Sequence, residues 1–514
     1  MNRPWRGRPY RRGGRGASRD SRTWQRPHVV TVTPDPPFGS LIKSIAVADL
    51  DVAPCEGSEF VITDNELIAS FNWVDSPEPT ILVPGGPPRW TPLAKAVRLG
   101  QDKGAYFRDV NAAHFPQYPM EPAILAALSG DGGGGGHLAL AGIDIVACSN
   151  TMNSLFRFIR GDAVHPRERK PFRMVVERSD GGTVFFVRRE NSPRELIPNV
   201  RGFGHTFPEA YTTWDADMKQ SVSHQRLVRY RFGGLGFLVR FEADGYIRQE
   251  KATATASSDA ADMNDMNNKD NMKNIKNMNN IDSIDTILAG TRITSGSTLS
   301  TFADGQQPGG RKEPGALRVQ IGGTLQPQDT VFDLKTRSIH VKQKDDLLAK
   351  ELPRLWITQI PTLILAYHTD GLFEDVEVHN VRDKIQEWEA AQTDALQKLA
   401  ALIHLILSEL DKTPSRRLEI YCKDVVGHLD LRQPGPGVTD ALSAGTQKLW
   451  ADRNQAPLSG PDNASSEKDA KDEKDEKDEK YQDGEEEVDL SWNDTEEDFT
   501  ACSSACGYCG RCTY

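Results

Sequence analysis

Cysteine is scarce in this chain, 7 residues in 514, and Cys55, Cys148 and Cys422 stand alone, so a disulfide framework is not what holds the fold. Long apolar runs are missing as well. No stretch approaches the roughly 20 apolar residues that a membrane-spanning helix needs, and no hydrophobic leader follows the basic start. These absences argue against a secreted module and a helical membrane protein, and point to a reducing compartment, nucleus or cytoplasm. Paired Asp-Asp-x-x-Asp motifs are absent too, since Asp345-Asp346 is followed by Leu-Leu-Ala. Prenyl-diphosphate synthesis, an all-helical alternative that uses two such motifs to hold magnesium diphosphate, is therefore the weakest of the functions considered.

Much of the chain has the composition of solvated rather than packed segments. Residues 1–36 carry nine arginines among Gly, Pro and Trp, opposed only by Asp20 and Asp35. Such a tail buries no core and suits loose RNA contact through phosphate charge and stacking, with nuclear import or simple solubility as rival roles. A second biased block, 252–310, is rich in Asn, Met, Asp and Lys, and reads as a disordered expansion of a surface loop, because loop closure grows only logarithmically with length. The third, within an acidic tail 451–500, holds 18 Asp and Glu against 5 Lys over 461–500. That excess outweighs the whole chain's net charge of −11, so overall acidity is no argument against a nucleic-acid partner. The Cys-rich end, 501–514, contains Cys502, Cys506, Cys509 and Cys512. Four thiolates would suit Zn²⁺, although no loop separates two knuckles, and a redox-sensitive or unstructured tail is the alternative.

What remains, 37–450, reads as one folded unit. Alternation over 173–177 and 183–187 around Asp180-Gly181-Gly182 predicts a hairpin. Ile385, Trp388, Ala395, Leu399, Leu402, Ile406 and Leu410 follow helical spacing and predict one long amphipathic helix over 381–411. Within this unit, Glu242-x-Asp244 ends an apolar run. On an extended strand two carboxylates two residues apart leave the same face and can share a cation. Asp333-x-Lys335 repeats the spacing on a second strand, which 317–321 should enter by a turn. There a carboxylate can join the metal while an ammonium orients water or stabilises phosphorane charge. Either triplet alone is more often a solvated strand edge. Trp356 should pack in the core, His404 should be structural or at the surface, and His205 and His224 take no role, since a hard cation prefers the carboxylates.

The order of these segments sharpens the reading. Gly202-Phe203-Gly204-His205-Thr206-Phe207-Pro208-Glu209 comes first, then the strand ending at Glu242, the Asp333 strand, Trp356-Ile357-Thr358-Gln359, and an apolar strand closed by Asp370-Gly371. This resembles the DXO/Rai family of RNA decapping and 5′-end-processing exonucleases, built on a PD-(D/E)XK nuclease-like core. The motif order covers roughly 40–410, and the specific part is 200–375. The resemblance implies an α/β (α+β) fold with a mixed central sheet flanked by helices, and a site with Mg²⁺ or Mn²⁺ held by Glu209, Glu242, Asp244, Asp333 and the Leu334 carbonyl. Lys335 and Gln359 would flank the scissile phosphate. It further implies RNA 5′ ends as substrate and, by analogy, an exoribonuclease partner.

The chain departs from that pattern in four places. Phe241 stands for the family's glycine, Asp333 for its glutamate, Pro208 precedes Glu209, and Ser149 falls where the family carries an arginine that reaches the RNA 5′ phosphate. A shorter ligand at 333 requires its strand to come closer. Arg157, Arg160, Arg188 and Arg189 are candidates for the relocated charge. A weakened binding module that keeps the nuclease fold is the alternative these departures favour.

Overall fold

The computed structural model describes residues 36–50, 60–103, 106–129, 140–161, 169–190, 200–249, 316–343 and 346–454, with 192, 194, 196 and 197. The expectations for the arginine-rich tail, the insertion, the acidic tail and the cysteine cluster fall outside these residues.

The elements that place the site are β1 (Thr63–Val74), β2 (Ile145–Cys148), α1 (Ser149–Arg160), α2 (Thr206–Tyr211), β3 (Ser221–Phe232), β4 (Leu235–Glu242), β5 (Gly245–Tyr246), β6 (Val331–Ser338), α3 (Leu347–Thr358), β7 (Thr362–Thr369), β8 (Leu372–Asn380), α4 (Arg382–Ala391) and α5 (Thr393–Asp411). An 11-stranded mixed sheet contains β1 to β4, and a 6-stranded sheet contains β5 to β8. Helices flank the sheets, the α+β architecture that the sequence implied. Among the described residues no helix is long and apolar enough to cross a membrane.

The large sheet is organised around the hairpin β3–β4, paired from Phe232↔Leu235 to Gln225↔Glu242. Its two-residue turn, Gly233-Gly234, has φ of 59° and 78°, the two left-handed positions that a type I′ turn requires. His404 on α5 bonds the Gly233 carbonyl at 2.8 Å, so that histidine has the structural role expected of it. β4 is buried on both faces. Phe237, Val239 and Phe241 pack in one core with residues of α1, α3 and α5, while Leu238 joins a second core with Phe71 and Trp73 of β1. Period-two alternation then puts Arg240 and Glu242 on the second face, with Leu238.

At Glu242 the chain leaves the large sheet. The Ala243 N–H donates to the His224 carbonyl at 3.1 Å, and the Asp244 N–H reaches the Phe332 carbonyl at 3.3 Å. Gly245 and Tyr246 then pair with Phe332 and Val331 of β6, in the other sheet. Glu242 and Asp244 therefore do not lie on one continuous strand: residue 243 is where the chain changes sheets. A Cβ at Gly245 would lie 2.3 Å from Phe332 Cζ and 2.8 Å from the Pro88 carbonyl, so the crossing depends on close approach. Gly245→Ala should therefore cost about 1–3 kcal/mol through overpacking. The urea-unfolding midpoint checks this, and an unchanged midpoint would mean that the seam yields freely.

β6 pairs with β7 in parallel, Asp333 opposite Leu363, and α3 forms the crossover between them. Asp346 caps α3 by accepting the Ala349 N–H at 3.0 Å, and Gln359 ends it at φ 53°. Trp356 is buried in the main core, its Nε1 donating to Glu389 at 2.6 Å.

The hairpin expected near 180 forms as Phe172–Arg178 paired with Val184–Arg188. Two other expectations change. The strand Arg318–Gly323 does not lead by a turn into β6 but runs parallel to Thr80–Gly85 at the edge of the large sheet. Alternation fixes which face a strand buries and leaves its partner unspecified. The expected helix over 381–411 is two helices. At Gln392 (φ −105°, ψ 15°) the backbone N–H bonds the Glu389 carbonyl in a tight turn, and Thr393 Oγ1 caps the Ala390 carbonyl at 2.9 Å.

A carboxylate pair at the seam of two sheets

Asp244 sits where the chain has just crossed between sheets, facing β6. Its Oδ2 accepts the Leu334 N–H at 2.6 Å, and its carboxyl lies against that of Asp333. Asp333 is 1% exposed. Lys335, two residues along the same strand, places its Nζ 3.5 Å from Asp333 Oδ1. From the crossover helix, Arg354 pairs with Asp333 Oδ2 and also with Glu351 at 3.0 Å. The second face of Glu351 meets Arg337 at 3.9 Å.

Two adjacent carboxylates cannot both remain ionised without compensation. Burial first, and then the neighbouring Asp333 charge, hold the Asp244 carboxyl well above the usual aspartate range, against the opposing pull of Lys335. Burial acts in the same direction on Asp333, but Arg354 and then Lys335 outweigh it and hold that carboxyl well below the usual range. The pair thus keeps one proton, on Asp244. Arg354 stays charged, because Asp333 and Glu351 offset the cost of its burial.

The donor set suits a hard divalent cation in one respect. Both Asp333 oxygens are buried, and no donor meets them in hydrogen-bond geometry despite the ion-pair contacts. Among the described residues no three His, Cys, Asp or Glu side chains converge as a ready-made metal cage. Mg²⁺ commonly needs no such cage, being held by one or two carboxylates with waters and substrate phosphates.

Of the other expected site residues, Glu242 and Leu334 interact with groups of this cluster, while Glu209 and Gln359 make their contacts elsewhere. Glu242, directly across the ladder from Gln225, is exposed. Partial desolvation raises its carboxyl, while Gln225, Arg240 and Lys335 draw it back. Lys335 is thus the group common to Glu242, Asp244 and Asp333. Leu334 is engaged through its backbone N–H. Glu209 is exposed on α2, where its charge acts on Tyr106. The Gln359 side chain turns back on its own helix, Nε2 to the Trp356 carbonyl at 2.6 Å. His205 stacks on Tyr106 with ring centroids 3.5 Å apart, and His224 is buried against Asn72 at 2.6 Å; burial and then Arg226 hold it neutral.

Ser149 opens α1, directly after the end of β2. Of the arginines that might replace its charge, Arg189 pairs with Glu419 at 2.7 Å, Arg188 with Glu190, Arg157 bonds Ser154 at 3.1 Å and Arg160 lies over the Phe156 ring. Arg354 and Glu351 are the residues that sequence reading missed. Their only signal was an i,i+3 Glu-Arg pair on a helix, which normally marks a solvated face.

An α+β fold with mixed sheets and a carboxylate pair between them defines the class. A family model described as "Domain of unknown function (DUF8563)" matches residues 43–422, and the chain belongs to that family. No curated protein matches. Among solved structures, the chain is similar to Rai1 of Scheffersomyces stipitis in complex with (3′-NADP)⁺ and calcium ion, at 12% identity and TM-score 0.46, covering 81% of this chain and 99% of that one. Candida albicans Rai1 in complex with pU5-Mn²⁺ is similar at 11% identity and TM-score 0.43, over 80% and 99% of the two chains. K. lactis Dxo1 in complex with manganese is similar at 10% identity and TM-score 0.36, over 79% and 99% of the two chains.

Proposed function

We propose that this protein is a divalent-metal-dependent hydrolase acting on RNA 5′ ends. The observation that carries the reading is the Asp244–Asp333 pair with Lys335 at 3.5 Å, built by the same triplets that gave the sequence resemblance. Mg²⁺ or Mn²⁺ held by Asp244 and Asp333 would polarise a phosphoryl oxygen and lower the pKa of a bound water. Lys335 places positive charge beside the pair, where charge grows on a phosphoryl group under attack. Glu242 offers a third carboxylate from the large sheet. Glu209 would join through inward movement of α2, and Gln359 through release from the Trp356 carbonyl.

A second reading has one observation in its favour. Arg354 already neutralises Asp333, so the pair is electrostatically satisfied without a cation, as in a binding module that keeps the nuclease fold. A cleavage assay separates the two. Purified protein should shorten or decap 5′-modified RNA in Mn²⁺ or Mg²⁺ and stop in EDTA. RNA bound but never cleaved in either metal would leave the binding module standing.

A further inference from the structure

An edge strand leaves a row of backbone N–H and C=O groups open, and folds usually protect that row with charge, proline, a bulge or a covering element. The far edge of the large sheet, Leu41–Ile45, carries Lys43, and β8, which ends the smaller sheet, carries Glu374, Asp375 and Glu377. The strand Arg318–Gly323 ends the large sheet on its other side and has no charge or proline after Arg318. Among the described residues it pairs only with Thr80–Gly85. Ile321 is 56% exposed, and Leu325, just beyond the strand, 42%.

The ladder fixes which backbone groups are open. The Arg318 N–H donates to the Pro79 carbonyl at 2.8 Å, in the parallel register Arg318↔Thr80. Alternate residues of a parallel strand bond the same neighbour, so Gln320 and Gly322 face the sheet with Arg318, while Val319 and Ile321 turn their N–H and C=O outward. Their side chains share a face with Ile81 and Val83 of the second core, against which Val319 packs. Arg318, Gln320 and Gly322 share the other face. Gly323, at φ 80°, ends the extended run.

This strip complements itself. About a two-fold axis through Gln320 and perpendicular to the sheet, an antiparallel copy sets Val319 of each chain opposite Ile321 of the other. Both are then hydrogen-bonded pairs made by the outward groups, and apolar side chains meet on one face. On the other face Gln320 meets its own counterpart, and the long Arg318 lies opposite Gly322, which has no side chain. Charge agrees with this register: residues 319–323 are neutral, and each Arg318 stays with its own Glu78 at opposite ends of the pairing.

We infer that Arg318–Gly323 is a self-association edge, through which two copies of this chain join their large sheets by antiparallel pairing. One strand pair stays below the roughly 1,200 Å² of a standard stable interface, so the association is weak and concentration-dependent. It requires neither a metal nor the proposed hydrolase activity.

Sedimentation velocity of the full chain from about 1 to 100 µM should show the sedimenting mass rise from one chain toward two. Ile321→Pro deletes an outward N–H and no bond of the existing ladder, so the melting temperature should hold while association weakens by about tenfold or more. Ile321→Lys, a common edge defence, should weaken it likewise and carries the test if the proline variant does not fold. Gln320→Cys puts two thiols on the axis, where non-hydrogen-bonded antiparallel pairs hold Cα atoms about 4.5 Å apart, within disulfide range. On oxidation it should give more covalent dimer than the wild type with its 7 cysteines. A wild type that stays monomeric throughout overturns the inference. So does a dimer that the folded Ile321 variants leave unchanged, or one in which Gln320→Cys cross-links no better than wild type.

Discussion

Asp244→Asn is expected to abolish metal-dependent RNA cleavage, by roughly a thousandfold or more, while the metal-free protein stays about as stable as the wild type. The asymmetry follows from where the proton lies. Asp244 is the member of the pair that burial and the Asp333 charge keep protonated, so a neutral amide replaces a neutral acid of nearly the same shape. Only the ionised form, needed by a cation, is lost. Asp333→Asn should differ, because it leaves Arg354 without its main partner. Breaking a buried ion pair costs about 3–5 kcal/mol, and the lower end applies where the guanidinium keeps some hydration. Parallel urea melts and cleavage rates of the two variants check the contrast. Equal destabilisation by both would contradict the assigned proton.

The pair also sets a pH dependence. Because its folded pKa is raised, Asp244 contributes stability that is fully present below the ordinary aspartate range and is lost as pH rises through the raised value. Asp333 behaves oppositely: its contribution is present above the ordinary range and is lost as pH falls through its depressed value. A divalent cation takes the place of the proton on Asp244, so its stabilising effect should grow with pH, by up to about tenfold in affinity per pH unit while that proton is displaced.

Arg354→Met should produce the second large effect. In EDTA the variant should lose about 2–4 kcal/mol, since Asp333 and Glu351 are then left to share Lys335, with Arg337 beside Glu351. Mn²⁺ should then restore more stability to the variant than it gives to the wild type, because the cation no longer competes with a guanidinium for Asp333. Thermal melts with and without Mn²⁺ measure the difference. If Mn²⁺ stabilises both proteins equally, Arg354 does not compete for the site.

Asp244, Asp333 and Lys335 were legible in the sequence because each follows a β-prone apolar run, where strand ends carry polar chemistry. The α+β class was implied by the family resemblance that these segments carry. The sheet change at Ala243 was not legible. Alternation through Phe241, Glu242, Ala243 and Asp244 reads as one continuous strand, and only the pairing of Gly245 with Phe332 shows that the chain has moved to another sheet. Arg354 was hidden for a related reason. A Glu-Arg pair on a helix looks the same from sequence whether the helix faces water or forms the crossover above a buried aspartate. The break at Gln392 leaves little trace either, because one irregular residue barely disturbs an apolar stripe that continues on both sides.

The most direct test of the central claim is the anomalous-scattering map of a crystal soaked in Mn²⁺. The account predicts a peak in contact with the Asp244 and Asp333 carboxylates, with the Arg354 guanidinium withdrawn from Asp333. A peak confined to other carboxylates, such as Asp375 and Glu377 beside Lys342, with the Arg354–Asp333 pair intact, would contradict it.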